Sequence, residues 1–249
     1  MLACAGCSLT PLDDLQSGSA GSSGTGLGGS GGVTSASSSS SSAGSGGQAG
    51  AGGAAGECVL RALRDNFSVP SAQWAPYETG GATVEVMGGR MVVTLSETST
   101  DGVGYAGYNS VIGYDVRDCS VIVRVVEPMD PLVNGEFYLG LSRVAAESSR
   151  VHIGGVTGKI FTTIGHEAEL DNVLGDVGSF IYQWLRIRFA GDHVFFEASS
   201  DGAAWFAIRN GPLPFPASDM IVSLIAGTYD VSSTLGSGTV MFDDFDYPP

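Results

Sequence analysis

Between Phe180 and Arg209 the chain reads FIYQWLRIRFAGDHVFFEASSDGAAWFAIR, a stretch that few folds can accommodate. In an extended chain, Tyr182, Trp184, Arg186 and Arg188 fall on one side and Gln183, Leu185, Ile187 and Phe189 on the other, so one face is apolar and turns to a core. Gly191-Asp192 then supplies the positive-φ residues of a tight hairpin, and His193 to Ser199 returns as a second strand rich in Val and Phe. Asp201-Gly202 turns the chain again into Ala204 to Arg209, which carries Trp205. Three antiparallel strands joined by two short turns form a meander, and the expectation is an all-β domain.

Other segments repeat the pattern. Thr83 to Met87 and Arg90 to Leu95 flank Gly88-Gly89, a two-residue hairpin signal. Further strands are expected at Ser120 to Val126, Phe137 to Ser142, Arg150 to Ile153, Lys159 to Thr163, Met220 to Ala226 and Thr239 to Tyr247, with a helical turn at Val59 to Arg64. About a dozen short strands separated by turn residues predict a jelly-roll β-sandwich of two antiparallel sheets.

The late meander also carries a family resemblance. Trp184-Leu185-Arg186-Ile187-Arg188, a Gly-containing turn, an aromatic strand and then Ser199-x-Asp201-Gly202-x-x-Trp205 resemble the concanavalin A-like lectin/glucanase superfamily. The likeness is to its bacterial laminin-G-like jelly rolls, similar to the C-terminal domains of some β-xylosidases. Asp65-Asn66-Phe67 followed by Trp74 resembles the opening strand of that family, and Phe242-Asp243-Asp244-Phe245 the closing one. The resemblance implies a fold shared by sugar binders and glycosidases, and fold alone does not assign a function.

Ahead of this region lies a different kind of chain. Ser17 to Gly56 is almost wholly Gly, Ser and Ala, without charged or aromatic residues. It has nothing to bury against the entropy of ordering, so it is expected to be a disordered tether with an r.m.s. reach of roughly 35 Å. Ala5-Gly6-Cys7 resembles the end of a bacterial lipoprotein signal, which implies lipidation of Cys7 and sorting to the outer membrane. The layout is then a signal remnant at 1–7, a linker at 8–56 and one folded domain at 57–249, exported to the bacterial cell envelope or beyond it. Cys58 and Cys119 are the two cysteines of the domain, and in an exported chain they are expected to form a disulfide.

Charge excludes one class of partner. The formal net charge is -15, and the segment before the domain contributes only Asp13 and Asp14 to it. Such a surface repels phosphate backbones, so no nucleic acid is expected as partner. No apolar run reaches the length of a membrane helix, which leaves a lipid anchor as the expected route to the membrane.

Four sets of residues could carry chemistry. Tyr182, Trp184, Arg186 and Arg188 share a non-core strand face, and Tyr105, Tyr108 and Asn109 lie in a Gly-rich segment expected as a loop. Both sets suit sugar recognition, where aromatic faces meet pyranose rings and polar side chains meet hydroxyls. Asp65, Asp243, Asp244 and Asp246 offer hard oxygen ligands for a structural calcium, the one cofactor considered. Glu167, Glu169 and Asp171 would share a face if extended, but their order and spacing depart from the paired-carboxylate pattern of glycosidases on this fold, and a solvated acidic loop is expected. His152, His166 and His193 show no metal-ligand spacing. The function expected is a non-catalytic surface module that binds a glycan or surface polymer; the alternatives are a protein-interaction domain without a sugar ligand, and a glycoside hydrolase.

Overall fold

The computed structural model describes residues 59–95, 103–128, 135–228 and 238–247. Cys7, the leader and the linker lie outside the described residues, as does Cys58. A short 3-10 helix, Val59–Leu63, is followed by β1 (Trp74–Glu78), β2 (Thr83–Met87), β3 (Arg90–Thr94), β4 (Gly104–Ser110), β5 (Ser120–Glu127), β6 (Gly135–Arg143) and β7 (Ala146–Val156). Then come β8 (Lys159–His166), β9 (Glu169–Gly178), a 3-10 turn at Ser179–Ile181, β10 (Trp184–Ala190), β11 (His193–Ser199), β12 (Phe206–Pro212), β13 (Met220–Thr228) and β14 (Thr239–Asp243).

These strands form two seven-stranded sheets, one ordered β1-β4-β13-β6-β7-β8-β9 and the other β12-β11-β10-β5-β14-β3-β2. Every pairing is antiparallel. Alternation assigns the inward side chains, with Phe137, Leu139 and Leu141 of β6 meeting Leu185, Ile187 and Phe189 of β10 in one core. The meander forms as its alternation predicts, and β11 has the predicted bounds. Gly88 and Gly89 hold φ of 61° and 74°, the left-handed conformation that a tight hairpin needs.

The ends of the domain close on each other. Asp65 N donates to the Phe245 carbonyl at 3.2 Å, and Phe245 N donates back to Asp65 at 2.8 Å. The Trp74 indole meets the Phe245 ring edge-on at 5.1 Å. The closing strand ends earlier than expected, because Asp244 and Asp246 adopt φ of 47° and 55° and break the extended run.

Two segments expected as loops are strands. Gly104–Ser110 is β4, held between β1 and β13; its glycines leave room for neighbouring side chains, and a scan for apolar residues passes over it. Glu169–Gly178 is β9, the edge of its sheet, reached through a tight turn in which Glu167 holds a φ of 54°.

Candidate functional site

The strand register of the first sheet arranges its outward side chains in rows. One row runs Tyr105 (β4), Gly227 (β13), Glu136 (β6), Val156 (β7), Lys159 (β8). The next runs Gly107, Ile225, Tyr138, Gly154, Phe161 and Leu174. The third is Asn109, Ser223, Gly140, His152, Thr163 and Asn172, and the fourth contains Ser142, Arg150, Gly165 and Leu170. Large side chains alternate with glycine along these rows. A Cβ on Gly227 would stand 2.1 Å from the Tyr105 ring, and one on Gly140 would stand 2.8 Å from the His152 ring. The glycines therefore form a floor on which the rings lie.

On that floor Tyr138 and His152 stack, with centroids 4.5 Å apart and planes 12° from parallel. Phe161 meets Tyr138 edge-on at 6.4 Å and forms a wall. Polar pairs edge the platform. Thr163 Oγ1 donates to Asn172 Oδ1 at 2.6 Å, Ser223 Oγ donates to Asn109 Oδ1 at 2.7 Å, and the Tyr105 hydroxyl donates to Glu136 Oε1 at 3.1 Å.

Electrostatics keep the site close to neutral despite the acidic chain. Glu136 is 8% exposed, and burial pushes its carboxyl up to about 7 against the pull of the Tyr105 hydrogen bond and the Arg150 charge. Enclosure and, after it, the charge of Arg150 push His152 down to about 3, so its ring is neutral at neutral pH. Arg150 pairs in register with Ser142, three rows from Glu136, yet its charge acts on both groups.

The protonated carboxyl has a measurable consequence. An unfolded Glu ionises near 4.5 and the folded one near 7, so this group favours folding below about 4.5, and its contribution is lost as pH rises to about 7. Glu136→Gln is expected to gain on the wild type across that window, by up to about 3 kcal/mol at pH 8. Urea unfolding of both proteins at pH 4, 6 and 8 checks this, and a constant difference would show that Glu136 ionises normally.

The sugar-binding candidates from the sequence are divided between the sheets. Tyr105 and Asn109 belong to this face, whereas Tyr108, between them on β4, turns inward and meets Trp74 at 6.5 Å. Trp184, Arg186 and Arg188 lie outside the other sheet, where they engage one another and their neighbours, whereas Tyr182, expected on the same face, precedes β10 and packs against the core. Trp184 is 6% exposed and lies under Arg124 at 5.8 Å, and Arg186 sits over Trp205 at 3.9 Å. Arg186 and Arg188 both donate to Glu197, at 2.6 Å from Arg186 Nε and 3.1 Å from Arg188 Nη2. Glu136, Tyr138, Arg150, His152 and Phe161 were not singled out as ligand residues. Their signal is present in Glu136-x-Tyr138-x-Gly140 and Arg150-x-His152-x-Gly154, two outward runs beside apolar inward ones.

The acidic sets have separate engagements. Asp65 Oδ1 accepts from Phe67 N at 2.6 Å, Asp243 Oδ1 from Asp244 N at 2.8 Å, and Asp244 pairs with Arg124 at 3.4 Å. Burial pushes Asp246 up to about 6, against the charges of Arg64 and Arg61. Among the described residues no group of three or more His, Cys, Asp or Glu is placed to hold a metal. Glu167 is exposed at its turn, and Asp171 of β9 pairs with Arg209 of β12, an ion pair that joins the edges of the two sheets. Cys119 is buried and disulfide-bonded; Cys58, the partner expected for it, lies outside the described residues.

No protein-family model matches the chain, and no curated protein matches it. Among solved structures it is similar to the β-glucanase of Bacillus licheniformis, with a TM-score of 0.53 and 11% identity over 72% of this chain and 94% of that one. It is also similar to a β-1,3-1,4-glucanase (lichenase) from a mouse hindgut metagenome, with a TM-score of 0.53 and 10% identity over 75% and 98%. A third is the CBM2 module of the evolved Dit of Lactobacillus casei BL23 phage J-1, with a TM-score of 0.51 and 8% identity over 74% and 94%. At these identities the likeness shows the fold alone, a jelly-roll β-sandwich of two antiparallel sheets.

Proposed function

We propose that the chain is a non-catalytic glycan-binding module of the laminin-G-like branch, displayed from a bacterial cell envelope on its Gly/Ser tether and anchored through Cys7. The observation that carries this reading is the glycine-floored outer face of the first sheet. Its flat Tyr138–His152 platform, the Phe161 wall and the flanking amide and hydroxyl pairs match what a pyranose chain needs, with apolar ring faces met by rings and hydroxyls met by fixed polar groups. Binding without hydrolysis is favoured because glycoside hydrolysis takes two carboxyls flanking one bond. On β4, β13, β6, β7 and β8 the outward rows described above contain one, Glu136.

A glycan array probed with the full chain, with calcium and again with chelator, tests this reading. Tyr138→Ala is expected to weaken binding about tenfold or more, as loss of a central aromatic anchor does. Unchanged binding in that variant would move the ligand off this face, and release of reducing sugar by the wild type would convert the module into a hydrolase.

The other sheet favours a protein partner as the second reading. Phe206, 53% exposed, stacks on Tyr182 at 6.4 Å, and Ile181 beside Tyr182 is also exposed. Phe206→Ser would leave glycan binding intact and remove a protein contact made there.

A further inference from the structure

We infer that the saccharide recognised on this face is acidic, and that Arg150 receives its carboxylate. The inference rests on the glycan-binding reading and adds the substrate class to it.

Five of the ten arginines of this chain pair with a carboxylate among the described residues. Arg117 pairs with Asp115, Arg124 with Asp244, Arg186 and Arg188 with Glu197, and Arg209 with Asp171. Arg150 is half-buried on the ligand face, and its Nε is shielded from solvent with no acceptor. A buried donor left without an acceptor is destabilising, and it is tolerated where a ligand supplies the missing oxygen. Arg143, at the adjoining end of β6, and Arg124 on the other sheet also have a shielded Nε without an acceptor, and Arg124 differs in pairing with Asp244 through Nη1.

Register sets Arg150 in the row next to His152 on the same outer face. Its stem crosses Gly165, whose absent Cβ would stand 3.2 Å from Arg150 Cγ, and its charge reaches His152 and Glu136. A guanidinium presents parallel N–H groups that fit the two oxygens of a carboxylate, a fit that single hydroxyls do not reproduce. Lys159 adds a second cation to the face, while Glu136, held by the Tyr105 hydroxyl, is the one carboxyl in the described rows of β4, β13, β6, β7 and β8. On a chain of net charge -15, this face is arranged to accept an anion. A hexuronic acid presents both features together, a ring to stack on Tyr138 and a carboxylate to meet the fork.

Calorimetry on the full chain tests this with matched probes: oligosaccharides of galacturonic, glucuronic and mannuronic acid, and the same oligosaccharides after reduction of each carboxyl to an alcohol. At least one acidic probe is expected to bind about tenfold tighter than its reduced counterpart, as a charge-assisted hydrogen bond does. Added salt is expected to shrink that margin. Arg150→Met is expected to remove the preference, bringing the acidic and reduced forms of each probe to within about twofold of one another. Equal affinity for the acidic and reduced forms overturns the inference and leaves glycan binding standing, as does a preference that survives in Arg150→Met. If neutral glycans alone bind, the acid-specific role fails. If no saccharide binds, the functional reading falls with it. The wild-type salt titration decides the question even where the variant does not fold.

Discussion

Glu197→Ala is expected to destabilise the folded domain by about 3 kcal/mol, because one buried carboxylate neutralises two arginines. Glu197 is 7% exposed on β11, with Arg186 and Arg188 of the neighbouring β10 converging on it. Alanine leaves both cations beside an apolar gap, under Trp205 and against Phe195. The loss stays below that of a sealed ion triad, since the Arg188 side chain is about a third exposed and can turn to water. Burial raises the Glu197 carboxyl, but the hydrogen bonds from Arg188 and Arg186 outweigh it and hold the group below its ordinary value. The stabilisation is therefore present above the unfolded value near 4.5 and lost as pH falls through the lower folded one. Urea midpoints of wild type and Glu197→Gln should differ at pH 7 and converge under acid. Coincident midpoints at pH 7 would mean that the arginines are held by stacking alone.

That network explains why the most legible stretch of sequence was only partly legible as a site. Alternation placed Trp184, Arg186 and Arg188 outside the core, and they are outside it. Nothing in a strand's own periodicity says what lies beside it, and Glu197, Trp205 and Arg124 arrive from β11, the turn after it and β5. The opposite sheet shows the same limit from the other side. Tyr138 and His152 are far enough apart in sequence to look unrelated, and they meet because the β6–β7 register sets Gly140 against His152 and Tyr138 against Gly154. The glycines that make the platform also hid it, since Gly104–Ser110 has a loop-like composition until its neighbours' side chains are seen to need the space. Turn chemistry was more direct: Gly88-Gly89 and Gly191 hold the positive φ that the sequence assigned to them, although Asp192, assigned it with Gly191, does not.

Phe242→Ala is expected to cost about 3–5 kcal/mol, the range for truncating a buried aromatic to alanine without collapse of the cavity. Phe242 is 0% exposed on β14, the last strand in sequence yet a central one in its sheet, paired with β3 on one side and β5 on the other. Its ring meets Phe137 of β6 at 6.3 Å and 70°, an edge-to-face contact between the two sheets. Phe137 in turn packs on Gly155 of β7, where a Cβ would stand 2.4 Å from the ring. The residues next along those strands, Tyr138 and Gly154, face outward and belong to the proposed sugar platform. Phe242 thus supports the platform from beneath, through Phe137 and the β6–β7 pair. Its removal should lower the urea midpoint strongly and, under conditions where the variant is still folded, also weaken glycan binding by loosening the backbone under Tyr138. Phe206→Ala, at an exposed position on the edge strand of the other sheet, should change stability by less than about 1 kcal/mol and leave binding untouched. A Phe242→Ala protein as stable as the wild type would contradict the packing described between the sheets. One that is destabilised but binds with full affinity would show that the platform stands without the core beneath it.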